Sequence, residues 1–117
     1  NRSDNANKIP IVLNDWQHIC YVVTSTEYKG YQNGSLTVSN TFGATPTYYA
    51  TTKDVLLGIR ANLTQSWSGK IDEVAFWNTD LSATQVQSIY DGTSTNLTKD
   101  LTTVAGSNLV YWNRMGD

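Results

Sequence analysis

Asn33-Gly34 constrains this chain more than any other pair of residues. It stands between two short runs, Tyr28 to Gln32 and Ser35 to Ser39, and both of its residues readily take the positive φ angles that a two-residue hairpin turn demands. The two runs are therefore expected to pair antiparallel, and the rest of the chain has to be compatible with a sheet.

Most of it is. Ile9 to Leu13 is apolar and β-branched, Asn14-Asp15 makes a turn, and Trp16 to Thr24 gives a second strand that is apolar on both sides. Trp16, His18, Cys20 and Val22 share one face of that strand, and Ile19, Tyr21 and Val23 share the other. Such a strand is expected in the middle of a sheet, with Trp16 and Tyr21 in the core. Residues 40–54, with Gly43, Pro46, Tyr48-Tyr49 and many threonines, read as a long loop or an irregular edge strand. Val55 to Arg60 reads as a strand interrupted by Gly58, Ala61 to Ser66 as a loop, and Trp67 to Asn78 as a long strand containing Gly69. Helical spacing occurs once. Ser82 and Gln85 form a capping box, Val86, Ile89 and Tyr90 follow as an apolar stripe, and Gly92 is the expected stop. Leu109 to Trp112 is a last strand candidate, with Trp77 another expected core aromatic.

A length of 117 residues suits one domain with one core, spanning residues 1–117. Hydrophobic residues make up 39% and charged residues 15%, and the abundance of Thr, Ser, Asn and Gly agrees with an all-β reading. With a formal net charge of −2 and no concentrated basic stretch, nucleic acid is not an expected partner. The longest apolar runs, such as Ile19 to Val23, are far shorter than the roughly 20 residues of a membrane-spanning helix. The single cysteine, Cys20, has no partner for an intramolecular disulfide. The polar opening NRSDNANK, beginning without Met, reads as part of a longer polypeptide.

Three segments carry a family resemblance. Trp16-Gln17-His18-Ile19, Tyr31-Gln32-Asn33-Gly34 and the run from Trp67 through Ile71-Asp72-Glu73-Val74-Ala75-Phe76-Trp77 to Asn78, followed by Leu81-Ser82, are similar to the C-terminal half of a laminin G-like domain of the concanavalin A-like lectin and glucanase superfamily. The resemblance covers residues 14–92 and implies an antiparallel, jelly-roll-like β-sandwich with one short helix. It also implies that strands which the family places before Trp16 are missing here, leaving the sandwich incomplete. The segment Leu109 to Asp117 resembles one that recurs around such domains in phage and marine bacterial proteins. The setting this implies is extracellular or on a virion or cell surface.

Superfamily glucanases need carboxylates on alternate residues of one strand, so that both flank one bond. Asp72 and Glu73 are adjacent and point to opposite faces, and the other glutamate is Glu27, so no catalytic residue is assigned and the chain is not read as an enzyme. His18 and Cys20, alternating in an apolar strand, read as core residues before they read as base and nucleophile. Ca²⁺ binds at a sheet rim in related domains, and Asp72 or Glu73 is the place for it here; with no dense acidic loop, structural hydrogen bonding is the preferred reading for both, and the metal stays open.

Sugar recognition sets an aromatic ring under the apolar face of a pyranose and planar amides against its hydroxyls. Among four Trp and seven Tyr, the candidates are Tyr48, Tyr49 and Trp67, with Asn62 and Gln65 beside them, although packing explains each equally well. The first function expected is a carbohydrate-binding or adhesion module on a virion or cell surface. Its rival is a structural decoration or spacer whose partner is a protein surface. In either case open sheet edges are expected to be covered within a larger assembly or homo-oligomer.

Overall fold

A computed structural model describes residues 8–47, 55–60, 62–94 and 99–115. Strands β1 (Ile19–Val23), β2 (Glu27–Gln32) and β3 (Ser35–Thr41) form an antiparallel sheet in that order. Strands β4 (Val74–Trp77) and β5 (Leu109–Asn113) form a second antiparallel pair. Helix α1 (Ala83–Ser94) and two short 3-10 turns, Leu101–Thr103 and Gly106–Asn108, lie between β4 and β5 in the chain.

The turn between β2 and β3 forms as its residues require: Asn33 has φ 50° and Gly34 φ 78°. It also binds its surroundings. Asn33 Oδ1 accepts the His18 N–H at 3.0 Å and the Asn33 N–H donates to the His18 carbonyl at 2.9 Å, which fastens β1 to the hairpin. A Cβ at Gly34 would lie 2.8 Å from Gln87 Oε1 of α1, so the absence of a side chain lets the helix approach the turn.

Alternation along the strands sorts the sheet into two faces. Cys20, Val22 and Tyr31 point inward and join Leu81, Val86, Ile89, Leu101 and Val104 in one core cluster, with Trp77, Leu109 and Trp112 packed against it. Trp77 Nε1 donates to the Val104 carbonyl at 2.8 Å, so its buried N–H is satisfied. The outer face carries Ile19, Tyr21 and Val23. Val38, which pairs with Gly30, is buried there, and Ile9 and the ring of Tyr21 lie over Gly30 itself.

Several expectations are corrected. β1 forms an edge of its sheet among the described residues, not its middle, and Tyr21 and Val23 are each 53% exposed. Trp16, expected in the core, is 62% exposed because β1 begins three residues later. Residues 9–13 form no strand, although the Asn14-Asp15 turn is present, with Asn14 at φ 61°. Instead of two strands over 55–60 and 67–78 there is an isolated bridge, Ile59 to Ser66, and the short β4. Glu73, at φ 54°, breaks the extended backbone immediately before β4. The helix begins as its capping box requires: the Ser82 N–H donates to Gln85 Oε1 (2.8 Å) and the Gln85 N–H to Ser82 Oγ (3.2 Å). It does not stop at Gly92 but continues to Ser94. Gly92 serves a close approach instead, since a Cβ there would lie 2.7 Å from Lys99 Cβ.

Candidate functional site

Of the residues expected to meet a sugar, Tyr48 and Tyr49 lie outside the described residues. Asn62 lies within the loop closed by the Ile59 to Ser66 bridge, and Trp67 directly follows that bridge. Asn62 Oδ1 accepts the Thr64 N–H (3.2 Å) and the Thr64 hydroxyl (2.6 Å), so its side chain carbonyl holds the loop in shape. The Trp67 N–H donates to the Gly58 carbonyl at 2.6 Å. Its side chain is 52% exposed and lies across Gly69, where a Cβ would be 2.9 Å from the indole nitrogen. Gly58, at φ 75°, is packed by Ile71, so Trp67 is presented from a loop whose own backbone is folded tightly beneath it. Gln65 Oε1 accepts from Arg60 and braces the same loop.

The acidic pair of the strand motif is occupied structurally. Asp72 Oδ1 accepts the Glu73 N–H at 2.9 Å, which supports the left-handed backbone at Glu73. Glu73 Oε2 accepts from Trp112 Nε1 at 2.8 Å, and Oε1 faces Arg114 Nε at 3.5 Å. The Arg114 guanidinium in turn lies 5.8 Å from the centre of the Trp112 ring. The carboxylate thus joins the segment before β4 to the end of β5. Among the described residues no group of three or more His, Cys, Asp or Glu side chains is placed to hold a metal ion.

His18 directly precedes β1, and Cys20 lies on the inner face of that strand. Burial holds the His18 imidazole below its ordinary pKa; its Nδ1 is sealed from solvent without a hydrogen-bond partner, and its ring lies 6.2 Å from that of Tyr90. Burial pushes the Cys20 thiol up to about 11, so it stays protonated at neutral pH and is a poor nucleophile.

A site that the linear pattern did not indicate lies between β2 and the start of α1. Here a cleft of about 290 Å³ is lined by Glu27, Lys29, Tyr31, Asp80, Leu81 and Gln85, among others. Glu27 and Lys29, two apart on one strand face, form an ion pair at 2.9 Å. That contact and the negative charge of Glu27 raise the Lys29 pKa, with smaller contributions from Tyr31 and Asp80. A second, shallower hollow continues past Tyr31 and Ala83 along α1 to Leu36, Gln87 and Asp91. The sequence signal for the cleft was the alternation of Glu27, Lys29 and Tyr31; what it lacked was Asp80, brought across only by the packing of α1.

Comparison with known proteins follows the same lines. Residues 1–87 match a laminin G-like family model described as the concanavalin A-like lectin/glucanases superfamily. No curated protein matches the chain. Among solved structures, the crystal structure of residues 221–444 of an S-layer domain-containing protein from Clostridium thermocellum ATCC 27405 superposes with a TM-score of 0.61 at 17% identity. The superposition covers 72% of this chain and 43% of that one, a likeness of fold.

Proposed function

The chain belongs to the concanavalin A-like lectin/glucanases superfamily, and we propose that it serves as a non-catalytic, carbohydrate-binding or adhesion module on an extracellular, cell or virion surface. The observation that carries this reading is Trp67. Its large apolar ring stands half out of the protein beside a braced loop that carries polar Asn62 and Gln65, and an exposed aromatic ring is the surface on which the apolar face of a pyranose can rest. The engagement of Asp72 and Glu73 in backbone support and in the Trp112 and Arg114 contacts argues against their use in hydrolysis. A glycan array probed with the full chain is expected to return binding that Trp67→Ala removes and Trp67→Phe retains in part. An array without binding, or binding indifferent to both substitutions, would refute the Trp67 platform.

A second reading, a structural module that contacts proteins, rests on a separate observation. Ile19, Tyr21 and Val23 form an exposed apolar row along a strand whose outer edge has no partner among the described residues. Concentration-dependent association in sedimentation, abolished by Tyr21→Ser with Val23→Ser, would favour it; monomer at all concentrations would dismiss it.

A further inference from the structure

Asn62-Leu63-Thr64 has the form Asn-x-Thr, with a residue other than Pro in the middle, that asparagine-linked glycosyl transfer requires. Asn33-Gly34-Ser35 has the equivalent form with Ser, and the structure separates the two. Asn62, Leu63 and Thr64 are all exposed, Leu63 to 68%. Both hydrogen bonds of the Asn62 carboxamide fall on Oδ1, from the Thr64 N–H at 3.2 Å and the Thr64 hydroxyl at 2.6 Å. Nδ2, the nitrogen to which a sugar is attached, makes no hydrogen bond among the described residues. The loop is braced by other groups: the Arg60 to Gln65 contact, the Leu63 N–H donating to the Arg60 carbonyl at 2.8 Å, and the Ile59 to Ser66 bridge. Asn33 is the opposite case. Its Oδ1 holds the His18 N–H, its own N–H is bonded to the His18 carbonyl, and Gly34 is buried where a Cβ would lie 2.8 Å from Gln87 Oε1. A transferase has to take the whole tripeptide into its own site, which at Asn33 means undoing the hairpin tip. Asn1 and Asn96, of the same form, lie outside the described residues.

We propose that Asn62 is a glycosylation site of the folded protein, modified on Nδ2 by a transferase that uses a glycosyl phosphate donor, and that Asn33 is not. In the transfer, Asn62 Nδ2 attacks the anomeric carbon of the donor. The carbon to nitrogen bond forms as the bond from that carbon to the phosphate oxygen breaks; the phosphate leaves with the electron pair, and one Nδ2 proton passes to a base of the transferase. Nothing is oxidised or reduced. Thr64 holds the carboxamide by its oxygen and leaves the nitrogen uncommitted. The sugar in question is covalent, so the proposal does not rest on the Trp67 platform.

The test begins with the full chain isolated from the cells that make it. Trypsin places Asn62 in the peptide 61–70 and Asn33 in the peptide 30–53, and fragmentation mass spectrometry is expected to find sugar on Asn62 and none on Asn33. The unmodified, folded chain is then offered two donors: a lipid-linked oligosaccharide with a membrane oligosaccharyltransferase, and UDP-glucose with a soluble asparagine glucosyltransferase. The pair that modifies Asn62 identifies the donor class. Thr64→Ala and Asn62→Gln should each lose the sugar mass from the peptide 61–70, whereas Thr64→Ser, which keeps the hydroxyl, should retain it; denaturing the chain should open Asn33 to the same enzyme. A bare Asn62 in the isolated protein, transfer by neither enzyme to the folded chain, equal occupancy of Asn33 in the folded chain, or undiminished transfer to Thr64→Ala would each overturn the proposal. Trp67→Ala leaves Asn62-Leu63-Thr64 intact, so loss of array binding in that variant is read separately from the sugar on Asn62.

Discussion

The two faces of the β1–β3 sheet have similar apolar content and opposite fates. On the inner face Cys20, Val22 and Tyr31 meet a helix, the 3-10 turn at Leu101 and the β4–β5 ladder, and the result is a closed core around Val86 and Ile89. On the outer face Tyr21 closes over Gly30 together with Ile9, and Val38 is buried, but the β1 row of Ile19, Tyr21 and Val23 stays open to water. The lesson is that alternation decides which side chains share a face, and only a second layer decides whether that face becomes a core. Among the described residues the larger apolar cluster therefore lies on one side of the β1–β3 sheet.

The strongest challenge to this asymmetry is Trp77→Ala. It removes a large ring packed on the core and the hydrogen bond to Val104, and it should cost about 3–5 kcal/mol in denaturant unfolding. A loss below 1 kcal/mol would show that the inner cluster is not the stabilising side.

Next in size is Gly34→Ala. A Cβ would strain the φ of 78° and collide with Gln87, so a loss of about 1–2 kcal/mol is expected, with the Asn33 to His18 contacts weakened as well. The paired variant Gln87→Ala, Gly34→Ala should recover the part due to the collision and not the part due to φ, measured as a double-mutant cycle.

A smaller effect separates the faces by pH. Because the folded protein holds His18 below its ordinary value of 6.5, the unfolded chain binds the proton more readily. The stabilisation is thus full above pH 6.5 and is lost progressively as pH falls from there through the folded pKa. Thermal melts of His18→Gln should lack that step, whereas melts of Tyr21→Ser should retain it. An unchanged step in His18→Gln would assign the titration elsewhere.

Smallest of all is Tyr21→Ser on the open face, which should shift unfolding by less than about 1 kcal/mol because the ring is already half in water. A shift as large as that of Trp77→Ala would mean that the outer face is covered in solution.

These contrasts also explain what was legible in the amino-acid sequence. The Asn33-Gly34 turn, the Ser82/Gln85 cap and β5 follow from local chemistry and appear where that chemistry puts them. Tyr21 and Trp16 were misplaced in the core because an apolar pattern carries no information about what lies above it. The long strand expected from Trp67 was cut by Glu73, whose left-handed backbone is supported by Asp72 and by the long-range partners Trp112 and Arg114, 39 residues away in the case of Trp112. The same holds for sites. Trp67, expected to open a long strand, is instead exposed next to the Ile59 to Ser66 bridge, and the cleft at Tyr31 includes Asp80, which is far from β2 in the chain.

One consequence of the Gly34 contact concerns how errors are rejected during folding. A hairpin can close one residue out of step, which turns every side chain to the wrong face. In this chain α1 meets the hairpin at its tip: a Cβ at Gly34 would reach the Gln87 amide, which also donates to Asp91, and would force that side chain to shift. A slipped hairpin would present Asn33 or Ser35 at that point and demand the same shift. The seating of the helix thus adds its own preference for the native register to that of the turn.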